Sequence, residues 1–299
     1  MALLVADKQY LYSNSGKLSN NIEDYPDGIV VPIDKPYRWT SADVIRKIKF
    51  SACRHFKKRN LKVGHAGTLD PLATGVLLVC IGKATKLAET FQSHNKEYVA
   101  GISFGATTPS YDQEKDIDRF FSIEGVNVGS INLALKNFLG EQEQVAPLFS
   151  AKSVDGVRAY EMARAIYKKR KEGSSICEEL DESAESLLSK QKINILSAEL
   201  LSFSSEGIER ATKTAESAVK YNPKINLVEH PELHLPHADI RISCSKGTYI
   251  RAFARDLGEA LHSGAHLDSL IRTKTGQFEL SNALSIDESI SLFSFTLQS

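Results

Sequence analysis

Hydrophobic positions recur along the chain with two periods, so strands and helices are both predicted. Residues 98–104 alternate apolar and polar positions as a half-buried strand does. Residues 76–81 are apolar throughout and predict a strand buried on both faces. Further strands are predicted over residues 29–33, 193–203 and 239–244. These strands are spread over most of the chain.

Helices are predicted between the strands. Thr40 is a typical N-cap residue, and the apolar positions Val44 and Ile48 that follow it share one helical face. Other helices are predicted from residue 84 and over residues 131–139. Strands and helices follow one another without a regular β-α-β order, and no glycine-rich phosphate loop occurs. A nucleotide cofactor is therefore not expected.

The polar segments suggest how the chain is organised. Residues 1–27 are rich in turn-forming residues, so we expect an N-terminal extension followed by one folded domain over residues 28–299. Two stretches resemble surface insertions, residues 167–191 and residues 204–236. The second insertion includes a helical pattern around residues 211–221.

Composition narrows the class of protein. Hydrophobic residues make up 42% and charged residues 25% of the 299 positions, which excludes a disordered, collagenous or coiled-coil chain. The four cysteines, at positions 53, 80, 177 and 244, have the spacing of neither a disulfide scaffold nor a zinc site, and no metal is expected. No apolar run has the length of a secretory signal or a membrane span, so we expect a cytoplasmic protein.

The balanced net charge hides one strongly basic segment. The chain has 37 basic and 37 acidic residues, yet residues 46–62 contain eight bases and no acid. These bases are Arg46, Lys47, Lys49, Arg54, Lys57, Lys58, Arg59 and Lys62. A run of this kind is typical either of a solvated helix face or of a surface that contacts phosphates.

Two segments carry residues suited to chemistry. Asp70 lies in a loop with three glycines and is followed by Pro71, which fits either a carboxylate presented to a ligand or an ordinary turn residue. Tyr249 and Arg251 are two residues apart near a predicted turn at Gly247. If the backbone is extended there, both side chains leave one face, which would suit a planar ring beside an anion. The alternative is a tyrosine at the core margin with an exposed arginine.

Taken together, these segments resemble the TruB family of tRNA pseudouridine synthases over roughly residues 28–289. The resemblance is carried by residues 64–77 (G-H-A-G-T-L-D-P-L-A-T-G-V-L), 96–98 (K-E-Y), 156–164 (G-V-R-A-Y-E-M-A-R), 244–258 (C-S-K-G-T-Y-I-R-A-F-A-R-D-L-G) and 266–273 (H-L-D-S-L-I-R-T). A further family pattern matches Thr108, Ser110 and Asp112, for which a structural turn is expected.

The resemblance implies an α+β pseudouridine-synthase domain with a mixed, largely antiparallel central sheet crossed by an active-site cleft. It implies that the chain isomerises uridine 55 in the T-loop of tRNA by flipping the base, without a cofactor. The implied catalytic residues are Asp70, Arg251 and Tyr98. The implied substrate-binding residues are His65, Gly67, Thr68, Lys96, Tyr249 and Leu270. The implied contacts to the RNA backbone are Arg46, Lys49, Arg54, Lys57, Lys58, Arg59 and Lys62.

The chain departs from the family pattern in places. Arg38 stands where the family's K-P-x-G-x-T-S motif has glycine, so an altered turn is expected. Lys152 lies one residue early in its motif, which weakens any contact assigned to it. The short tail leaves no room for a C-terminal RNA-binding domain, so T-arm binding is expected to rely on the catalytic domain of a monomer. The alternatives are a T-arm-binding RNA chaperone without catalysis and a guide-RNA-dependent relative, and the second fits the loop sequence poorly.

Overall fold

The computed structural model describes residues 3–13, 17–147, 153–154, 157–158, 190–207, 222–230 and 233–293. Its strands are β1 (Leu4–Val5), β2 (Ile29–Lys35), β3 (Val63–Ala66), β4 (Ala73–Ile81), β5 (Lys96–Phe104), β6 (Ala106–Thr107), β7 (Arg119–Phe120), β8 (Gly140–Val145), β9 (Ser153–Val154), β10 (Val157–Arg158), β11 (Lys190–Ser204), β12 (His237–Cys244), β13 (Ala265–Thr275) and β14 (Phe278–Glu279). Its α-helices are α1 (Lys8–Tyr12), α2 (Ser41–His55), α3 (Ala88–Ser93), α4 (Val128–Asn137), α5 (Ile250–Ala260) and α6 (Ile286–Ser291).

The chain divides into two units. Unit 1 comprises Met1–Val99, Arg210–Asn226 and Ser269–Ser299, and unit 2 comprises Ala100–Glu209 and Leu227–Asp268. These ranges place the predicted insertion at 204–236 partly in each unit.

Unit 1 is built around β4. This strand pairs antiparallel with β2 and β3 and parallel with β13. Strand β1 adds to β2 in parallel, and β14 adds to β13 antiparallel. The register places Lys35 of β2 and Arg272 of β13 on either side of Gly75 in β4.

The core of unit 1 follows from the apolar run in β4. Residues 76–81 are all fully buried, and Val30, Phe91 and Phe278 pack around this run. Helix α2 buries Val44 and Ile48, as its periodicity predicts. Thr40 begins this helix with a capping box, in which its side chain and that of residue 43 exchange hydrogen bonds with the backbone.

Unit 2 is built around the long strand β11. This strand pairs antiparallel with β12 on one side and β8 on the other, and two register shifts interrupt the β12 pairing. Helix α5 follows β12 after a turn at Gly247, whose φ is +86°. Helix α4 begins with a capping box at Asn127 and buries Ile131 and Leu135.

These observations confirm the α+β class with mixed, largely antiparallel strand pairing. The predicted strands and the helices at 41–55 and 128–137 are present. The helix predicted from residue 84 is wrong in type for its first turn, since Gly82–Leu87 is a 3-10 helix and α-helix starts only at Ala88. No helix in the described ranges is long and apolar enough to span a membrane.

The first 27 residues take part in unit 1, although their polar character predicted an extension preceding the core. Leu4 and Val5 pair with β2, and Leu18 is buried. The Ser19 carbonyl lies 2.9 Å from Nε2 of the buried His55. Strand pairing and the Ser19 carbonyl are backbone contacts, which side-chain hydrophobicity does not signal.

Several predicted features lie outside the described residues. They are Lys152, most of the motif at 156–164, nearly all of the insertion at 167–191, and the helical pattern at 211–221.

Candidate active site

The loop between β3 and β4 presents Asp70. Leu69 is buried and anchors this loop, and the Ser41 hydroxyl at the start of α2 accepts a hydrogen bond from the Leu69 N–H at 3.0 Å. The backbone carbonyl of Asp70 accepts from the Ala73 N–H at 3.1 Å. A backbone hydrogen bond thus closes this turn, and presentation of the Asp70 carboxylate to a ligand stays a prediction.

A buried guanidinium supports the first half of the loop. Arg272 is 1% exposed, and its side chain donates to the carbonyls of Gly67 at 3.2 Å, Thr68 at 3.3 Å and Val76 at 2.7 Å. A Cβ at Gly75 would collide with the Arg272 carbonyl, and the φ of Gly75 is +102°. Only glycine fits there, and it lets β13 approach closely enough for Arg272 to reach the loop.

A buried lysine supports the second half of the loop. Lys35 donates from Nζ to the carbonyls of Pro36 at 2.9 Å, Trp39 at 2.6 Å and Pro71 at 3.2 Å. Burial lowers the pKa of Lys35 to about 7, and the negative charge of Asp70 opposes that shift. The backbone on both sides of Asp70 is thus held by buried N–H donors, Arg272 before it and Lys35 after it.

Arg38 connects the same loop to the second insertion. Its φ is +58°, a left-handed backbone that glycine adopts more easily than arginine, and an altered turn relative to the family stays a prediction. The Arg38 N–H donates to the Pro71 carbonyl at 3.0 Å, and its guanidinium donates to the Ile225 carbonyl at 2.7 Å. Asn222 donates from its backbone to the Arg38 carbonyl at 3.2 Å and from its side chain to Asp43 at 3.0 Å. The end of this insertion is therefore bound beside the Asp70 loop.

His65 lies on β3, directly before that loop. Burial lowers the pKa of His65, and the nearby Arg272 lowers it further. Both effects favour the neutral imidazole. A neutral ring can stack between bases without carrying a buried charge, which suits the role that the family resemblance gives it.

Strands β5 and β13 supply the other predicted pocket residues of unit 1. Tyr98 and Leu270 are both almost fully buried, and Leu270 pairs in register with Ala73, three residues beyond Asp70. Lys96 is also buried, and its Nζ donates to the carbonyls of His94 at 2.6 Å and of Gln92. Those carbonyls end α3, so Lys96 holds a helix terminus, and its contact with substrate stays a prediction.

Arg251 lies in unit 2 and is 6% exposed. It donates to the Ser110 carbonyl at 3.1 Å, and its Nε lies 3.7 Å from the carboxylate of Asp112. The Ser110 hydroxyl donates to the Asp112 carboxylate at 2.6 Å, and the Thr108 hydroxyl donates to the Asp112 carbonyl at 2.7 Å. These bonds form the turn that the sequence pattern predicts. This turn also orients Arg251. Asp70 belongs to unit 1, and the ion pair that the resemblance implies between Asp70 and Arg251 stays a prediction.

Tyr249 is the N-cap residue of α5, and its own side chain makes no capping hydrogen bond. Gln144 of β8, itself 3% exposed, accepts from the Tyr249 N–H at 2.9 Å and donates to the Tyr249 carbonyl at 3.1 Å. The backbone is extended at Tyr249 but helical at Arg251. The idea that both side chains leave one face of an extended segment is therefore wrong, because the helix begins between them.

The basic segment occupies the outer face of α2 and the turn after it. Its seven predicted RNA contacts are all exposed: Arg46, Lys49, Arg54, Lys57, Lys58, Arg59 and Lys62. Arg46 pairs with Asp43 at 2.8 Å, and Lys58 pairs with Glu23 at 3.2 Å. The described residues include no cluster of histidine, cysteine and acidic side chains that could hold a metal ion.

Sequence reasoning missed four supporting residues: Lys35, Asp112 as a partner of Arg251, Gln144 and Arg272. Lys35 and Arg272 stand inside motifs of the resemblance, but a lone basic residue in a strand does not show which carbonyls it will reach. Gln144 gave no signal, because its partner Tyr249 is 105 positions away.

Comparison with known proteins gives consistent results. The family model described as TruB family pseudouridylate synthase (N terminal domain) matches residues 54–217. A protein of Phocaeicola vulgatus named tRNA pseudouridine synthase B is 42% identical over 264 residues, which covers 88% of this chain and 92% of that protein. A Thermus thermophilus protein of the same name is 37% identical over 260 residues, which covers 86% of this chain and 75% of that protein.

Among solved structures, the fold is similar to that in the crystal structure of a Cbf5-Nop10-Gar1 complex, with a TM-score of 0.56. The sequences are 23% identical, and the match covers 91% of this chain and 56% of that chain. At this level of identity the likeness concerns the fold alone.

Proposed function

The chain belongs to the TruB family of pseudouridylate synthases, and from that premise we propose that it isomerises uridine to pseudouridine in the T-loop of tRNA, at position 55. The observation that carries this proposal is the Asp70 loop, whose backbone is held on both sides by hydrogen bonds from the buried side chains of Lys35 and Arg272. To react at one nucleotide of a large substrate, the enzyme must hold its catalytic carboxylate in a fixed position.

The reaction breaks the N1–C1′ bond, turns the uracil and rejoins it through C5. Each step conserves atoms and electrons, so the chemistry needs no redox partner. Asp70 would supply the carboxylate, either as a nucleophile at C1′ or C6 or as a base on a glycal route. Arg251, oriented by the turn at Asp112, would keep that carboxylate ionised and aligned.

The target base has to leave its stack, because C1′ and C5 of a stacked uridine are out of reach. In our proposal, Tyr98 stacks on the flipped uracil while Tyr249 and Leu270 form the walls of its pocket. His65 fills the space that the base vacates. Gly67, Thr68 and Lys96 line the approach, and the basic face of α2 contacts the RNA backbone.

The names of the relatives support a tRNA substrate and do not favour the chaperone reading. We propose that the enzyme acts on the T-arm directly, as a cytoplasmic monomer without a guide RNA, a cofactor or a metal ion. Formation of pseudouridine in bare T-arm RNA would separate this proposal from guide-dependent action.

The test is mass-spectrometric mapping of pseudouridine in an unmodified tRNA transcript after incubation with wild type or with Asp70→Asn. We expect product at the T-loop uridine from wild type alone, because the amide is neither a nucleophile nor a base. The affinity of the variant for the transcript should stay within a few-fold of wild type. Tight binding by wild type without product would contradict the proposal and support the chaperone reading.

A further inference from the structure

An aromatic ring lies exposed in the middle of the basic helix face. Phe50 of α2 is 63% exposed, whereas Val44 and Ile48 of the same helix are fully buried. Arg46 and Arg54 lie one turn before and one turn after Phe50, so the ring is flanked by guanidinium groups on its own face of the helix. Packing of unit 1 gives no reason for phenylalanine at this position.

The ring lines an open surface pocket of about 560 Å³. Its lining residues are Arg46, Lys49, Phe50, Cys53, Arg54, Lys57 and Arg59. The Arg54 guanidinium carbon lies 5.6 Å from the centre of the Phe50 ring, within the range of a cation–π contact. The pocket thus combines one flat apolar surface with five positive charges.

These charges are available to a ligand. Among the described residues, Arg46 is the only one of the five with an acidic partner, Asp43. Basic residues in the last turn of a helix also stabilise the helix dipole, which explains Arg54 and its successors. That effect does not explain Lys49, which lies earlier in the helix, or an exposed aromatic ring. An exposed ring can stack on a flat base, and the surrounding cations can bind a phosphate. This combination is suited to an unpaired nucleotide.

The position of the pocket restricts which nucleotide can reach it. Ser41, at the start of α2, bonds to Leu69 beside Asp70. Phe50 follows nine residues later, which is about 14 Å along the helix axis. Beyond its loop a T-arm is a paired stem, and a base inside a stem has no free face for a side chain, so we look for the nucleotide outside the T-arm.

We propose that the Phe50 pocket binds an unpaired nucleotide of the tRNA substrate that lies outside the T-arm. Its base stacks on Phe50 and its phosphate lies among Lys49, Arg54 and Lys57. The pocket would thereby distinguish a whole tRNA from an isolated T-arm. This inference rests on the proposed function for the identity of the RNA.

The test compares two unmodified RNAs, a full-length tRNA transcript and its T-arm hairpin, in filter-binding and pseudouridine-formation assays. The variants are Phe50→Ala, Phe50→Trp and, as a matched control, Phe120→Ala, since Phe120 is also 63% exposed but lies outside the pocket. Phe50→Ala loses one stacking contact, so its affinity for the full-length tRNA should be about five-fold or more below that of wild type. The hairpin should bind Phe50→Ala as it binds wild type, and Phe50→Trp and Phe120→Ala should resemble wild type on both RNAs.

If Phe50→Ala lowered the affinity for both RNAs equally, the proposal would be overturned, because the pocket would then contact the T-arm itself. Unchanged binding of both RNAs would also overturn it. Absence of pseudouridine with wild-type protein would refute the proposed function alone, since the ratio of the two affinities still tests the pocket.

Discussion

At the scale of single residues, Lys35 makes stability depend on pH in an unusual direction. Its pKa is about 7 in the folded chain and about 10.4 in an unfolded one. Between these values the unfolded chain holds more protons, so raising the pH stabilises the fold. Against Lys35→Met, wild type should gain about 2 kcal/mol in unfolding free energy between about pH 7.5 and pH 9.5. Urea unfolding of both proteins at each pH measures this difference, and a constant difference would contradict it.

Arg38 offers a second residue-scale prediction. Replacing it by glycine relieves the left-handed backbone by about 1 kcal/mol but removes the hydrogen bond to Ile225. The two effects oppose each other, so the unfolding free energy of Arg38→Gly should stay within about 1 kcal/mol of wild type. The insertion should become more sensitive to protease near residue 225, which limited proteolysis with mass spectrometry would detect.

Arg38→Ala is the control for this prediction. It loses the same hydrogen bond and keeps the backbone strain, so it should be less stable than Arg38→Gly and equally sensitive to protease. Equal resistance of all three proteins would show that the Ile225 contact does not hold the insertion.

At the scale of elements, β8 holds the start of α5 through one side chain. Gln144 bonds to both the N–H and the carbonyl of Tyr249. Gln144→Ala should displace Tyr249 and lower kcat/KM for tRNA about ten-fold or more. Gln144→Glu keeps the acceptor and loses the donor, so its loss should be intermediate. Steady-state kinetics at matched folded fractions test this, and wild-type kinetics for Gln144→Ala would exclude the positioning role.

The elements also show what the sequence could and could not predict. Strand β4 and helix α2 follow from local periodicity and capping, and the loop between β3 and β4 stands out through its glycines. Lys35 and Arg272 are different, because their partners are backbone carbonyls of that loop and a carbonyl has no sequence signature. Arg272 lies about 200 positions from the carbonyls it holds, so only the register of β13 on β4 reveals the contact.

At the scale of the whole molecule, a net charge of zero conceals a strongly basic local surface. If the basic face of α2 contacts phosphates, the logarithm of the binding constant should fall linearly with the logarithm of salt concentration. Lys57→Ala should reduce that slope by about one. Lys58→Ala is a matched comparison, because Lys58 pairs with Glu23 and should contribute less. Salt titrations of tRNA binding measure both slopes, and identical slopes for wild type and Lys57→Ala would contradict the assignment.

The contact between Arg38 and the insertion also has a consequence for how such sequences change over time. The strain of arginine in this left-handed turn is offset by the hydrogen bond from its guanidinium to the Ile225 carbonyl. A descendant that lost residues 204–236 would keep the strained turn without its compensation, and reversion to glycine would then be beneficial. The residue at position 38 and the length of a segment almost 200 positions away are therefore expected to be inherited as a pair.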